Sequence, residues 1–279
     1  MSETSLSAPA ESLSPPAAPR RATRHLTYVG KVSITTCLAV LLLWWGAAEL
    51  ELAPAMFLPS PQAVVAKFFA VSSDGFEGAT LLQHCLASLG RVLAALAGAF
   101  VAGVVLGFAM NLSQTARGVI EPLLEFYRPI PPLAYLPLVI IWFGIGETAK
   151  ILVIGLGILP AIIIATNEGL RSVSQDRVNA ARALGASRLQ VVTLVLLPHA
   201  LPSILSGTRI GVGTGWATLV AAELVAATQG LGFMIKGAAD FLVTDVVILG
   251  ILVIAAVAIV MDLGLRWLQR LVAPWQGHE

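Results

Sequence analysis

Residues 86–110 read LASLGRVLAALAGAFVAGVVLGFAM and contain one charged side chain, Arg91. A helix needs about 20 apolar residues to cross the hydrocarbon core of a bilayer, so this run is long enough to span it. Five other segments have the same character, although the first is short: Ser33–Ala48, Val119–Phe143, Ala149–Thr166, Ala200–Ala227 and Asp245–Trp267. The sequence therefore predicts an all-α, polytopic membrane protein with about six transmembrane helices.

The composition of the whole chain supports this fold class. Hydrophobic residues make up 57 % of the 279 residues and charged residues 12 %, and the mean hydropathy is +0.86. A soluble domain carries about 25 % charged residues, which cover its exterior. The formal net charge of +1 also argues against a nucleic-acid partner, because phosphate binding needs a basic surface.

Proline interrupts the third apolar segment. A proline inside a helix removes a backbone hydrogen bond and kinks the helix. We therefore expect a break in this span near its four prolines, which are Pro129, Pro131, Pro132 and Pro137.

The domain organisation follows from where charge and apolar residues lie. Residues 1–27 are rich in Ala, Pro and Ser and predict a disordered cytoplasmic tail. The apolar run that follows is interpreted as a retained signal anchor rather than a cleaved signal peptide. A transmembrane domain over residues 28–272 and a short cytoplasmic tail over 273–279 complete the chain.

Lysine and arginine predict the orientation, because cytoplasmic loops carry an excess of both. With a cytoplasmic N-terminus, the other side holds only Lys67, Lys150 and Lys236, with Arg91 near the outer end of its span. We therefore expect a multi-pass protein of the bacterial cytoplasmic (inner) membrane with both termini cytoplasmic. The cytoplasmic set is Arg20, Arg21, Arg24, Lys31, Arg117, Arg171, Arg177, Arg182, Arg188, Arg266 and Arg270.

The longest cytoplasmic connection, residues 168–198, contains a predicted short helix. Ser172 with Gln175 three residues later is a capping-box pattern, and Gly185 is a natural helix stop. One face of this helix carries small or apolar residues, which would let a partner protein approach closely. A merely solvated loop helix is the alternative. The face consists of Ala180, Ala183, Leu184 and Ser187.

This connection resembles the ATPase-docking loop of ABC importer permeases. The family signature is Glu-Ala-Ala, three residues, Gly, nine residues, then Ile-x-Leu-Pro. Here it reads Asn179-Ala180-Ala181, Gly185 and Val195-Leu196-Leu197-Pro198, with every spacing kept. Asn179 replaces an acidic residue that could pair with the ATPase. The resemblance implies docking by Asn179, Ala180, Ala181, Arg182, Ala183, Leu184, Gly185, Ala186, Ser187 and Pro198.

Three further segments, 127–137, 141–147 and 215–223, look like the nitrate/sulfonate/taurine permease family. The resemblance implies a type I ABC importer permease fold and import of an alkanesulfonate by alternating access, with taurine favoured. The alternatives are nitrate, another sulfonate or a small heterocycle. The implied partners are two ABC ATPase subunits, a second permease copy and a periplasmic or tethered substrate-binding protein.

The fifth apolar segment contains candidates for the translocation path. Gly211 and Gly215 are four residues apart, which suits close helix packing, alone or combined with lining of a passage. Trp216 and Thr218 follow them. Glu223 lies toward the outer end of the segment, where it is a candidate for an external gate or for helix packing and capping.

The sequence does not favour an enzyme. None of the four lysines lies in a Gly-x4-Gly-Lys-Ser/Thr motif, so we expect ATP hydrolysis by a separate subunit. No catalytic cluster points to a membrane enzyme. The scattered histidines predict no metal site, and no cofactor is expected. A secondary transporter would need acidic or histidine relays at mid-membrane, where such residues are scarce.

Overall fold

The computed structural model describes the backbone of residues 22–274 and the side chains of residues 30–274. Helices account for most of this range, and among the described residues the only extended pairing is an isolated bridge between Phe76 and Ala79. The helices are α1 (Ala22–Glu49), α2 (Pro61–Ser73), α3 (Leu81–Leu112), α4 (Gln114–Tyr127), α5 (Pro132–Phe143), α6 (Glu147–Arg171), α7 (Gln175–Ala183), α8 (Arg188–Val191), α9 (Leu197–Ala226), α10 (Leu231–Asp240) and α11 (Thr244–Val272), with a π-helical turn, Val192–Leu196, joining α8 to α9.

Helix α1 begins at Ala22, within the last residues of the segment predicted as the N-terminal tail, 1–27. The helix extends because residues 22–29 contain neither proline nor glycine. The rest of the predicted tail lies outside the described residues, as do residues 275–279 of the predicted C-terminal tail. The chain divides into two units after Ala53, and α2 to α11 belong to the second unit.

Helices α3, α6 and α9 form the core of this second unit. The side chains of Ile154, Ile158 and Ile162 on α6 are completely buried between the other two helices. Glycines on α3 permit the close approach, because a Cβ at Gly107 would lie 2.5 Å from the Cβ of Thr166 on α6. Small residues at transmembrane helix contacts give this kind of backbone packing.

The order of these contacts gives the helix directions. Along α3 and α6 the residues in contact rise together, from Ala95 beside Gly155 to Gly107 beside Thr166, so the two helices run parallel. Helix α9 runs antiparallel to both. The segment 172–196 therefore lies at one end of the bundle, which we call the loop end. Helices α2 and α10 lie at the opposite end, where Lys67 pairs with Asp245 at 3.7 Å.

The proline-rich third span is broken, as predicted. Helices α4 and α5 meet at an angle of 106° across residues 128–131. Pro131 caps the second helix and Pro132 is its first residue, a position that needs no backbone N–H donor. Beyond the break, Leu136 and Val139 pack near the opposite end against Ala149 and Val153 of α6.

The number of spans agrees with the prediction of about six. Five helices in the described part of the chain are long and apolar enough to cross a membrane, and the broken α4–α5 pair makes six. Several spans are longer than the apolar runs that predicted them. Helix α3, for example, starts at Leu81 rather than Leu86, because Thr80 and Gln83 form a capping box there.

Candidate functional site

Helix α7, at the loop end, starts later than the capping pattern predicted. The prediction of a capping box between Ser172 and Gln175 is wrong, because α6 continues to Arg171 and takes Ser172 as its own C-terminal cap. The Ser172 hydroxyl donates to the carbonyl of Gly169 at 2.8 Å. A capping box does form at the next helix, α8, where Ser187 and Gln190 bond reciprocally.

The predicted stop at Gly185 is confirmed. Helix α7 ends at Ala183, and Gly185 has a φ of +83°, which a residue with a side chain adopts only with strain. The amide of Ala186 donates to the carbonyl of Ala181 at 3.0 Å and closes the turn. The sharp change of direction after α7 therefore depends on glycine.

The segment is anchored on one side and open on the other. Val178 is buried, and Ala181 and Ala186 pack with it against a cluster that includes Leu170 and Ile204. The exposed side carries the four residues of the predicted small face and Asn179, whose Oδ1 accepts a 3.3 Å hydrogen bond from Gln175. Leu184, on that face, is 89 % exposed. An exposed leucine on a rigidly held helix end can insert into an apolar groove of a partner protein.

The rest of the docking signature lies around this segment. Arg182 is exposed on α7, and Pro198 is half-buried at the start of α9. Because proline has no N–H to donate, it suits the junction where the π-helical turn ends and α9 begins. The signature residues therefore share one end of the bundle, on one connection between α6 and α9.

The glycines of α9 that were candidates for the path are used in helix packing. A Cβ at Gly211 would lie 2.9 Å from Ile158, and one at Gly215 would lie 2.8 Å from the same side chain. Trp216 is buried in the central apolar cluster. The requirement for α9 to pack closely on α6 therefore accounts for both glycines.

Glu223 is completely buried near the opposite end of the bundle, in contact with two neighbouring polar side chains. Arg91 of α3 donates to its carboxylate at 2.5 Å, and Ser88 donates at 2.8 Å. Arg91 also donates to Glu147 of α6 at 2.6 and 2.9 Å. Lys150 donates to Glu147 at 2.6 Å. These five residues, Ser88, Arg91, Glu147, Lys150 and Glu223, form what we call the ion cluster.

Backbone donors complete the ion cluster. The amide of Gly232 donates to Glu223 at 2.8 Å, and the amide of Leu231 donates to Ser88 at 2.8 Å. A Cβ at Gly230 would lie 2.5 Å from the Glu223 carboxyl group, so glycine is needed for the turn before α10 to close over it. The arrangement ties α3, α6, α9 and the start of α10 together. These contacts favour a role for Glu223 in helix packing and capping over a role as an external gate.

The sequence alone did not predict that the five residues of the ion cluster lie together. Arg91 lies inside an apolar run, and a charge in a membrane segment needs a partner, so its position was the one indication of a buried ion pair. Its two acidic partners lie 56 and 132 residues away in the sequence, so no local pattern relates them.

A cavity of about 480 Å³ lies where the break between α4 and α5 faces α6 and α9. Its walls are mostly apolar, and the polar groups on them are few. Of the candidates for the translocation path, only Thr218 contributes to this wall. The polar and charged residues that line the cavity are Tyr127, Arg128, Glu168, Thr214 and Thr218.

The hydroxyl groups of the residues on the cavity wall already donate hydrogen bonds within the protein. Thr214 donates to the carbonyl of Gly211 at 2.7 Å, and Thr218 donates to the carbonyl of Thr214 at 2.8 Å. Tyr127 donates to Tyr135 at 2.5 Å. The guanidinium of Arg128 is thus the one charged donor among the described residues that line this cavity.

Comparison with known proteins identifies relatives of the chain. The family described as "Binding-protein-dependent transport system inner membrane component" matches residues 99–276. The taurine transport system permease protein of Escherichia coli is 54 % identical over 248 residues, which are 88 % of this chain and 90 % of that protein. A putative aliphatic sulfonates transport permease of the same organism is 35 % identical, over 85 % of this chain and 88 % of its own.

Solved structures with the same fold include chains of ABC transporters. A chain of the MetNI methionine ABC transporter, in inward-facing conformations, superposes with a TM-score of 0.59 at 21 % identity and covers 69 % of this chain and 95 % of its own. A chain of an amino acid ABC transporter gives a TM-score of 0.55 at 18 % identity, over 75 % and 96 % of the two chains. At these identities the superpositions establish the fold, which agrees with the predicted importer permease architecture.

Proposed function

The chain belongs to the family of binding-protein-dependent transport system inner membrane components, and from that premise we propose that it is the permease subunit of an ATP-driven importer for taurine or a related alkanesulfonate. The 54 % identity to a taurine permease over nearly the whole of both chains supports this cargo. The single structural observation that carries the proposal is the exposed, anchored segment from α7 to Gly185 at the loop end.

The segment from Gln175 to Ser187 is the proposed docking surface for an ATPase subunit. Its exposed face, centred on Leu184, inserts into the partner, and its buried side, centred on Val178, transmits the partner's movement to α6 and α9. Asn179 offers a neutral hydrogen-bonding group where related loops carry an acid, so this contact does not depend on a salt bridge. The permease itself carries out no hydrolysis.

The proposed assembly contains two permease copies, two ATPase subunits and a substrate-binding protein. The ATPases bind at the loop end, on the cytoplasmic side, and both termini of the permease lie on that side. The binding protein delivers its cargo at the opposite end. ATP binding favours the outward-facing conformation of the membrane domain, and hydrolysis restores the inward-facing one. Transport therefore follows alternating access.

The pathway runs through the cavity beside the α4–α5 break, with Thr218 on its wall. Of the other candidates, Gly211, Gly215 and Trp216 act indirectly, by fixing how closely α9 packs on α6. Glu223 acts through the ion cluster, which holds the helices of the opposite end together.

Transport by the reconstituted complex tests this proposal. The permease, its ATPase and its binding protein would be placed in proteoliposomes, and uptake of radiolabelled taurine measured with ATP inside. We expect uptake that requires ATP and the binding protein and that competes with other alkanesulfonates but weakly with nitrate or bicarbonate. Uptake by the permease alone, without any ATPase, would overturn the importer assignment. ATP-driven uptake of nitrate but not of taurine would overturn the cargo.

A further inference from the structure

We propose that Arg128 binds the sulfonate group of the cargo inside the membrane domain, on the wall of the cavity beside the α4–α5 break. This inference rests on the proposed function, because it takes an alkanesulfonate as the transported molecule. It adds a specific contact within the permease itself, separate from the recognition that a substrate-binding protein supplies.

The cavity that Arg128 lines reaches the middle of the bundle. Arg128 follows α4 as its C-terminal cap, at the break before α5. It shares the cavity wall with Leu156 and Gly157, which lie near the middle of α6. Because α6 is long and apolar enough to span the bilayer, this cavity extends into the membrane-spanning part of the bundle.

Arg128 differs from the other arginines that lie inside the spans. Arg91 pairs with two carboxylates, and Arg209 pairs with Asp262 at 2.8 Å. Among residues 30–274, the Arg128 side chain has no ion pair or hydrogen bond. A charge inside the membrane is costly unless it is paired or faces water, and a free one is a candidate functional group. Arg128 is exposed and lines the cavity.

The cavity around Arg128 has the size and chemistry of a small-molecule site. Its volume of about 480 Å³ lies within the usual range for ligand pockets, about 300–1,000 Å³. Apolar side chains such as Leu156, Ile164 and Ile210 form much of the wall and keep the local polarity low. In such surroundings a planar guanidinium binds an oxyanion through paired, charge-assisted hydrogen bonds.

The other groups on the wall do not compete for the anion. The hydroxyl protons of Thr214, Thr218 and Tyr127 are committed to neighbouring oxygens. Glu168 is negatively charged and would repel a sulfonate, so among the described residues on this wall only Arg128 carries a charge that attracts it. One cation and one acid on the same cavity wall suit a zwitterion such as taurine, with the sulfonate at Arg128.

The test compares charge-removing and charge-keeping variants in the complete importer. Proteoliposomes containing the permease, ATPase and binding protein would be loaded with ATP, and uptake of taurine and the rate of ATP hydrolysis measured. Loss of a charge-assisted contact is expected to reduce uptake by Arg128→Gln by about tenfold or more. Arg128→Lys, which keeps the charge but loses the paired geometry, should retain part of the uptake. Hydrolysis stimulated by the loaded binding protein should stay within about twofold of the wild type in both variants.

A matched control removes an arginine elsewhere in the chain. Arg270 is exposed near the end of α11 and lies outside the cavity, so Arg270→Gln should leave uptake unchanged. Uptake by Arg128→Gln at the wild-type rate would overturn the inference. Loss of assembly or of stimulated hydrolysis in both Arg128 variants would also overturn it, because that result indicates a purely structural role.

Different results would overturn the proposed function and the proposed role of Arg128. If the wild-type complex takes up no taurine, the cargo assignment fails, and the Arg128 variants are then compared with ethanesulfonate and nitrate as probes. A selective loss of ethanesulfonate uptake in Arg128→Gln would keep the sulfonate contact. Equal uptake by the wild type and the variant, or no anion uptake by the wild type, would overturn it.

Discussion

The guanidinium of Arg91 lies 2.5 Å from the carboxylate of Glu223 and joins α3 to α9 near one end of the bundle. Both side chains are almost completely buried, and Arg91 reaches Glu147 of α6 at the same time. A buried charge is tolerated when its partners satisfy it, and removal of one partner leaves the other uncompensated. One arginine, shared between two carboxylates, therefore links α3, α6 and α9 at this end of the bundle.

Glu223→Gln is expected to destabilise the folded permease by about 3–5 kcal/mol, because it leaves the Arg91 charge only partly paired. Thermal unfolding of the purified permease in detergent measures this, as a lower midpoint and a smaller yield of folded protein. Lys236 and Asp240 form an exposed ion pair at the same end, so Lys236→Ala is the control and should change stability by less than about 1 kcal/mol.

The double variant Arg91→Met with Glu223→Met tests whether the two residues act as a pair. We expect the double variant to lose less stability than the sum of the losses in the two single variants, because two Met side chains leave no unpaired charge between them. Additive losses, measured as unfolding midpoints, would show that the contact between the two side chains has little energetic importance.

Gly185→Val is expected to uncouple ATP hydrolysis from transport while the protein stays inserted in the membrane. The positive φ at this position strains a β-branched residue and displaces the exposed end of α7. Uptake and hydrolysis are measured together in proteoliposomes, and the ratio of molecules imported to ATP consumed should fall severalfold. Gly118, which has open space around its Cα and no positive φ, is the control position for a Gly→Ala change. Unchanged uptake by Gly185→Val would contradict the docking role.

Leu184→Asp is expected to weaken binding of the ATPase subunit without affecting the fold. The side chain is 89 % exposed, so the substitution removes little packing within the permease itself. A charge at the centre of an apolar contact costs affinity because it must be desolvated, by about 10-fold or more. Co-purification of the ATPase with tagged permease gives the affinity, and wild-type recovery of the complex would count against this contact. Leu189→Asp, at a second exposed leucine on α8, shows whether the effect is local.

Gly207→Leu is expected to destabilise the bundle by about 1–3 kcal/mol or to prevent folding, because overpacked helices must separate. A Cβ at Gly207 would collide with the Cβ of Ala165 on α6. Gly213 is the matched position on the same helix, with open space around it in this chain, so Gly213→Ala should fold normally. Resistance to proteolysis in native membranes distinguishes the two variants, and equal resistance would contradict the proposed α6–α9 packing.

The composition and the apolar runs alone determined that this chain is a helical membrane protein with about six spans. They could do so because the bilayer imposes a length and polarity rule on every spanning helix separately, without reference to tertiary contacts. The same locality explains why the break near Pro131 and the helix stop at Gly185 were predictable. Proline and glycine act on the backbone at their own positions.

The position of helix caps was harder to predict from local sequence. Ser172 and Gln175 matched the capping pattern, but the preceding helix continued far enough to use Ser172 as its own end. Ser187 and Gln190, with the same spacing, did form the capping box. A pattern of two residues does not say which helix the residues belong to.

The tertiary structure alone decided which residues act together. It joined Arg91, Glu147 and Glu223 from three separate helices, turned Gly211 and Gly215 toward α6, and left Arg128 facing a cavity. The sequence determined the spans because the membrane acts on each helix by itself. The pairing of charges and the shape of the cavity depend on how the helices rotate and pack against one another, and that packing is set by contacts between residues far apart in the chain.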